Sequence, residues 1–175
     1  MDNEIKLPQP NEVSYKEKER AMASYFMMFA SSTIGLPLPF FNLIASWIFY
    51  RYTSKTSQFV RFHSYQSMLS QLPITVFNTV IVFWTFNIVW GNFPMANEND
   101  LAPILEGFSS NYIGFAIVTA LSNLIYIIFS VIAGAKAYKG RLYYFPYFGN
   151  IAFDHAFVNF KEFGKDEYVN TAPKL

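Results

Sequence analysis

FVRFHSYQSMLSQLPITVFNTVIVFW, residues 59–84, is the stretch that decides the fold, and its apolar part continues to Trp90. No Asp, Glu, Lys or Arg occurs between Arg61 and Glu98. A helix needs about 20 apolar residues to cross a bilayer, and this run is longer. Its first part is polar and aromatic, and it lacks the strict alternation of a barrel strand. The stretch predicts one long helix, residues 59–90, that starts at the membrane surface and then crosses the membrane.

Charged residues are absent from three long stretches of the 175-residue chain, which are residues 21–50, 62–97 and 107–135. A soluble protein distributes charges along its helices to keep one face in water. The segregation seen here is typical of a helical membrane protein, and residues 112–137 predict its last span. The formal net charge of +1 gives no reason to expect a nucleic acid partner.

The first of these stretches is interrupted by Gly35, Pro37 and Pro39. Proline lacks the amide donor and clashes with the preceding turn, so two short helices are predicted, at about 21–33 and 40–52. Each would be ~20 Å long, which is less than the ~30 Å of the hydrocarbon core. They form either two short spans with a tight turn or a re-entrant hairpin that enters and leaves on one side.

The predicted fold class is therefore all-α, an integral membrane protein with four hydrophobic segments, of which the first two are short. The third helix carries an interfacial N-terminal part, and Pro73 is expected to kink it or to mark its change of direction. Three regions are expected along the chain: a disordered tail at 1–14, one membrane domain at 15–148, and a C-terminal surface segment and tail at 149–175. A short surface helix is expected at 148–163.

Basic residues occur before the first apolar stretch, in and just after the connector at 51–58, and after the last apolar stretch. The charged residues of the segment at 91–106 are all acidic. The basic residues are Lys16, Lys18, Arg20, Arg51, Lys55, Arg61, Lys136, Lys139 and Arg141. By the positive-inside rule, both termini are cytoplasmic and the acidic loop lies outside. The localisation predicted is a multi-pass protein of the inner membrane. Its partners are the lipid bilayer and, as an open alternative, a second copy or other membrane proteins.

A polar stripe lies on the predicted third helix, because its members recur at steps of three and four residues. The stripe consists of His63, Gln66, Ser67, Ser70 and Gln71, with Arg61 beside it. It could line a cavity or dock another segment. Alternatively it is an interfacial motif, in which the polar face meets headgroups while Phe59, Phe62, Tyr65 and Leu69 insert into lipid.

Amide side chains within the apolar runs, Asn42, Asn78, Asn87 and Asn123, are expected to form hydrogen bonds between helices. Ser130 with Gly134 and Ala133 with Ala137 have the small-xxx-small spacing that permits close helix approach or dimerisation. The chain has two His and no Cys, and no catalytic or phosphate-binding motif is present. We therefore expect no metal, no cofactor and no enzymatic activity.

Two motifs resemble a widespread bacterial family of small membrane proteins that is related to the Tic-twenty family of chloroplast protein import. The matching residues are Phe59, Val60, Arg61, Phe62, His63 and Gln66, and then Ala135, Lys136, Ala137, Gly140, Tyr143 or Tyr144, and Pro146. The resemblance covers about residues 20–148. It implies four hydrophobic helices and a part in preprotein passage. The chain departs from the usual pattern in its longer outer loop and its aromatic C-terminal extension.

The leading functional hypothesis is a multi-pass membrane protein without enzymatic activity, a channel-like or accessory component as the resemblance implies. The alternative is a structural or lipid-interacting scaffold with no pore. A membrane enzyme that uses His63 or His155 is the third hypothesis.

Overall fold

The computed structural model describes residues 7–30, 39–92, 101–158 and 169–173, and these contain helices and no strand. The helices are α1 (Tyr15–Phe26), α2 (Pro39–Thr53), α3 (Gln58–Asn92), α4 (Ala102–Glu106), α5 (Ser110–Tyr138) and α6 (Phe148–Ala156). A 3₁₀ turn, Met27–Phe29, follows α1. The predicted all-α class is confirmed for these residues.

Helix α3 is the centre of the fold, because α1, α2, α5 and α6 all pack against it. It contains 35 residues and is ~52 Å long at ~1.5 Å per residue. It runs through Pro73 without interruption, and its bounds lie close to the predicted 59–90.

Two helices, α3 and α5, are long and apolar enough to cross a membrane. Large apolar side chains on both are more than half exposed, such as Phe83 at 59% and Leu121 at 54%. An apolar surface of this extent is costly in water and suits lipid. Helices α1 and α2 have 12 and 15 residues and do not reach that length. Four crossing segments are thus not established, and the predicted break at Gly35 and Pro37 lies outside the described residues.

The ends of two helices follow local sequence signals. The Ser14 side chain accepts a hydrogen bond from the amide of Glu17, and the Glu17 carboxylate accepts one from the Ser14 amide, which is a capping box. At the end of α5, Gly140 adopts a φ of 73°. The amide of Gly140 donates to the Ala137 carbonyl and that of Arg141 donates to the Lys136 carbonyl. This is a Schellman motif with Gly140 at the C′ position.

The terminal segments differ from the prediction of tails. Residues 7–13 and 169–173 contact each other, and Asn170 is 2% exposed. The Asn170 amide group donates to the carbonyls of Pro8 and Gly140, and its oxygen accepts from the Leu142 amide. The side-chain oxygen of Gln9 accepts hydrogen bonds from the backbone amides of Val169 and Asn170. These bonds hold both termini at the basic end of α5. Residues 1–6, 159–168 and 174–175 lie outside the described part. Helix α6 ends at Ala156, with Phe157 as its C-cap, whereas the sequence predicted a helix over 148–163.

The small residues of α5 serve packing within the chain. A Cβ atom on Gly134 would lie 3.4 Å from the Phe26 ring and 3.7 Å from Met22, both on α1 or at its end. Ala133 and Ala137 are fully buried, as is Ala21 on α1. The small-xxx-small spacing therefore allows α1 to approach α5 closely.

Candidate functional site

The polar stripe of α3 is buried in the helix bundle. His63, Gln66, Ser67, Ser70 and Gln71 are all 3% exposed or less, and so are Phe59 and Phe62 on the same helix. The interfacial alternative required these two phenylalanines to insert into lipid, and it differs from the structure in this respect. The reason is tertiary: α1, α6 and the segment after α5 cover both faces of this part of the helix.

Gln66 is the most fully hydrogen-bonded member of the stripe. Its Nε2 donates to the Tyr25 hydroxyl at 2.8 Å and to the Tyr143 carbonyl at 2.9 Å. Its Oε1 accepts from the Phe145 amide at 3.1 Å. One side chain thus connects α3 to α1 and to the segment that follows α5.

His63 lies next to Gln66 in this network. Its Nδ1 is 2.9 Å from the Tyr25 hydroxyl. The same hydroxyl accepts a hydrogen bond from Gln66. The Arg141 carbonyl lies near Nε2, without a hydrogen bond of good geometry. Both His63 and Tyr25 are fully buried.

The remaining stripe residues join α3 to α1 and α2. The Ser67 hydroxyl donates to the Ser24 carbonyl at 2.7 Å, and Gln71 Nε2 donates to the Ser46 hydroxyl at 2.5 Å. Ser70 bonds within α3, to the Ser67 carbonyl at 2.9 Å. These contacts make the stripe a junction between helices.

Arg61 is separate from the stripe and close to α6. Its Nε donates to the Ser54 carbonyl at 3.0 Å. On α6, His155 stacks on Tyr65 at 4.1 Å between ring centroids and its Nε2 is 2.6 Å from the Tyr50 hydroxyl. Partial burial, and then the positive charge of Arg61, lower the pKa of His155 from its ordinary value. This cluster attaches α6 to α2 and α3.

The predicted packing amides behave in different ways. Asn78 and Asn123 bond to each other between α3 and α5. Asn87 is exposed and donates to the Phe83 carbonyl of its own helix at 2.7 Å. Asn42 lines a cavity that is described below. Asn78 and Asn123 therefore form the interhelical bond that the sequence suggested, whereas the bond of Asn87 stays within its own helix.

Several polar residues on one face of α5 were not predicted as a group. On α5 they are Tyr112, Thr119, Tyr126 and Ser130, and the Tyr112 hydroxyl is 2.7 Å from the hydroxyl of Thr85. With Asn123 they recur at steps of seven, four, three and four residues, which places them on one helix face. That spacing was available in the sequence. We call the α3 stripe, Asn78, Thr85 and these α5 residues the polar seam.

A cavity of about 110 Å³, here named the amide cavity, lies within the seam. The 3₁₀ turn, α2, α3 and α5 contribute to its lining, and the polar residues in it are Asn42, Gln71, Thr75, Asn78, Asn123 and Tyr126. The Tyr126 hydroxyl also lies near the side chains of Ser130, Ser70, Gln71 and Ser67. Five buried side-chain atoms of the described residues have no hydrogen-bond partner, and two of them, Gln71 Oε1 and the Tyr126 hydroxyl oxygen, belong to residues that line this cavity. Every residue in the lining is uncharged.

The described residues hold no group of three or more His, Cys, Asp and Glu side chains that could bind a metal ion. Neutral amides, hydroxyls and one imidazole can exchange hydrogen bonds and bind neutral polar groups. The fold and the site thus define an all-helical protein with an uncharged polar interior and two helices that are long and apolar enough to span a membrane.

The chain belongs to the MamF/MmsF family, the magnetosome magnetite crystal formation protein family, whose model matches residues 16–153. The match extends from the first turn of α1 into α6 and so includes the whole polar seam. It supplies no link to the Tic-twenty family. No curated protein and no solved structure matches this chain.

Proposed function

We propose that this chain is a non-enzymatic integral membrane protein of the magnetosome that acts in magnetite crystal formation. The observation that carries the proposal is the family match over residues 16–153, which contain both helices of membrane-spanning length. The exposed apolar faces of α3 and α5 support a position within a bilayer.

A structural role fits the polar seam better than a channel-like role. Several of its side chains bond to one another, as Gln66 does with Tyr25 and Asn78 does with Asn123. Side chains that satisfy each other between helices stabilise a bundle. The channel-like role implied by the Tic-twenty resemblance remains a prediction, and ion conduction in planar bilayers would favour it.

The surroundings of the histidines support a role without catalysis. His63 and Tyr25 form a hydrogen-bonded pair, but both are fully buried, so a substrate would have to open the bundle to reach them. His155 is held between the Tyr65 ring and the Tyr50 hydroxyl.

Charge asymmetry suggests how the protein is oriented. Between Arg61 and Lys136 the only charged residues are acidic, namely Glu98, Asp100 and Glu106. Basic residues lie near the start of α3 and the end of α5, which are the helix ends far from the acidic connection. In most membrane proteins basic residues are retained on the cytoplasmic side. We propose that the acidic connection faces away from the cytoplasm, where its negative charge would attract iron cations.

The test is deletion of the gene in a magnetite-forming host that carries it, followed by complementation. We expect deletion to reduce the size or number of crystals in electron micrographs, and the wild-type gene to restore them. As a control, Asn87→Leu should also restore them, since Asn87 is exposed and bonds only within its own helix. Unchanged crystals after deletion would refute the proposal. The combined Glu98→Gln, Asp100→Asn and Glu106→Gln variant tests the proposed role of the negative charge separately from the role of the whole protein.

A further inference from the structure

Two buried oxygen atoms face the amide cavity without a partner among the described residues. They are Gln71 Oε1 and the hydroxyl oxygen of Tyr126, whose residues are 2% and 7% exposed. An unpaired buried polar atom costs free energy, and native proteins satisfy almost all such atoms with protein groups or ordered water.

We propose that the amide cavity binds a small cluster of water molecules within the membrane-spanning bundle. Its volume is about 110 Å³. A water molecule takes about 30 Å³ in the liquid and needs two to four polar partners. Gln71 and Tyr126 supply two unpaired atoms that lie near each other, and Thr75 and Asn123 add polar groups to the lining.

The chemistry of the lining selects water over other ligands. No charged side chain lines the cavity, so a cation bound there would lack a counter-charge in a medium of low dielectric constant. An apolar ligand would leave both oxygens unpaired. Empty cavities in proteins are apolar, whereas polar ones of sufficient size are hydrated.

Bound water would complete the polar seam. Gln71 already bonds to Ser46 through Nε2, and Asn123 already bonds to Asn78. The water cluster connects these two groups of contacts through the Gln71 oxygen and the Tyr126 hydroxyl. This site does not depend on the role in crystal formation, so either proposal can fail without the other.

The direct test is nuclear magnetic resonance of the full chain in detergent micelles. We expect cross-relaxation between water protons and the side-chain amide protons of Gln71 and Asn123. Thr75→Leu adds apolar volume to the lining and should abolish both signals. Thr79→Leu, a matched change on α3 outside the lining, should leave them in place. The amide of Gln58, at the start of α3, serves as the positive control for detection.

A second variant keeps the inference falsifiable if signals overlap. Tyr126→Phe removes only the hydroxyl. In a hydrated cavity this loses a hydrogen bond to water and lowers the midpoint of thermal unfolding, whereas in a dry cavity it removes an unpaired group and raises the midpoint. Absent water signals at both amides with a clear Gln58 signal, or a raised midpoint, would overturn the proposal. A saturable shift of the two amide resonances on titration with Na⁺ or Fe²⁺ alone would overturn it too.

Discussion

Asn78 of α3 and Asn123 of α5 exchange two hydrogen bonds, with Nδ2 to Oδ1 distances of 3.0 and 2.7 Å. Asn123 Nδ2 also donates to the Thr119 carbonyl at 2.8 Å. The pair joins the two helices that are long enough to span a membrane. These two bonds connect the side chains of α3 and α5 directly, so they fix how the two helices face each other.

Replacement of either asparagine by leucine should destabilise the protein through loss of this pair. Interhelical side-chain hydrogen bonds in membrane proteins contribute about 0.6 kcal/mol on average and up to about 1.7 kcal/mol. A double-mutant cycle of Asn78→Leu and Asn123→Leu, measured by denaturant titration in micelles, should give a coupling energy of about 1 kcal/mol. Strict additivity of the two changes would show that the pair is not formed.

The sequence predicted α3 and α5 closely because a charge-free apolar run has few alternatives to a spanning helix. It predicted the polar residues of α3 as a stripe, but not what they contact. An interfacial helix and a buried one have the same spacing of polar and apolar residues. The partners of Gln66, which are Tyr25, Tyr143 and Phe145, lie 41, 77 and 79 residues away in sequence. Such contacts depend on tertiary packing and not on local pattern.

The Gln66→Leu variant should be among the least stable single variants of this chain. The change removes three hydrogen bonds and leaves the Phe145 amide unpaired in a buried position. Each such orphaned group costs about 1–3 kcal/mol, so a loss of about 2–4 kcal/mol is expected. Asn87→Leu is the matched control, because Asn87 is exposed and its loss should change stability by less than about 0.5 kcal/mol. Equal effects of the two changes, measured by the same unfolding titration, would contradict the role of Gln66 as the connecting residue.

Acidification should weaken the attachment of α6. Burial and the charge of Arg61 lower the pKa of His155 below the value of about 6.5 expected in the unfolded chain. The unfolded state therefore binds more protons as the pH falls through 6.5, and the free energy of unfolding decreases. The contribution of His155 to the free energy of unfolding is fully present above about pH 6.5. It is lost as the pH falls, and the loss stops once the pH is below the pKa of His155 in the folded state.

The control for this effect is His155→Phe, which keeps an aromatic ring against Tyr65 and cannot titrate. From pH 7.5 to pH 5, the free energy of unfolding of the wild type should decrease more than that of the variant. Because this comparison cancels the titration of His63, a difference that does not vary with pH would show that His155 is not perturbed.

Gly134 should tolerate a small side chain and reject a large one. A Cβ atom would lie 3.4 Å from Phe26, which is close to ordinary contact, and alanine favours a helix over glycine by about 0.8–1 kcal/mol. Gly134→Ala should therefore change stability little, whereas Gly134→Leu should displace α1 and lower stability by about 1–3 kcal/mol. If Gly134→Leu instead left stability unchanged and dissociated an oligomer, the small residues would serve dimerisation.

The termini show a second limit of sequence reasoning. Gln9 and Asn170 lie in short polar segments that are poor in apolar residues, which is the usual composition of a disordered tail. Their order comes from bonds to each other and to the carbonyl of Gly140. Amide side chains can form this many hydrogen bonds only when segments distant in sequence pack together, and composition does not indicate which segments do so.

Membrane orientation is the last testable consequence of the charge distribution. A single cysteine introduced by Asn99→Cys, between α3 and α4, should lie outside the cytoplasm, and one introduced by Lys55→Cys, between α2 and α3, should lie inside it. The chain has no cysteine of its own, so each variant carries one label site. In intact cells that place the protein in the inner membrane, an impermeant thiol reagent should modify the first variant and spare the second. Permeabilised cells should give labelling of both, which shows that the Lys55→Cys thiol is reactive. Labelling of the Lys55→Cys variant alone in intact cells would reverse the orientation, because it would place the basic ends of α3 and α5 on the far side of the membrane, against the positive-inside rule.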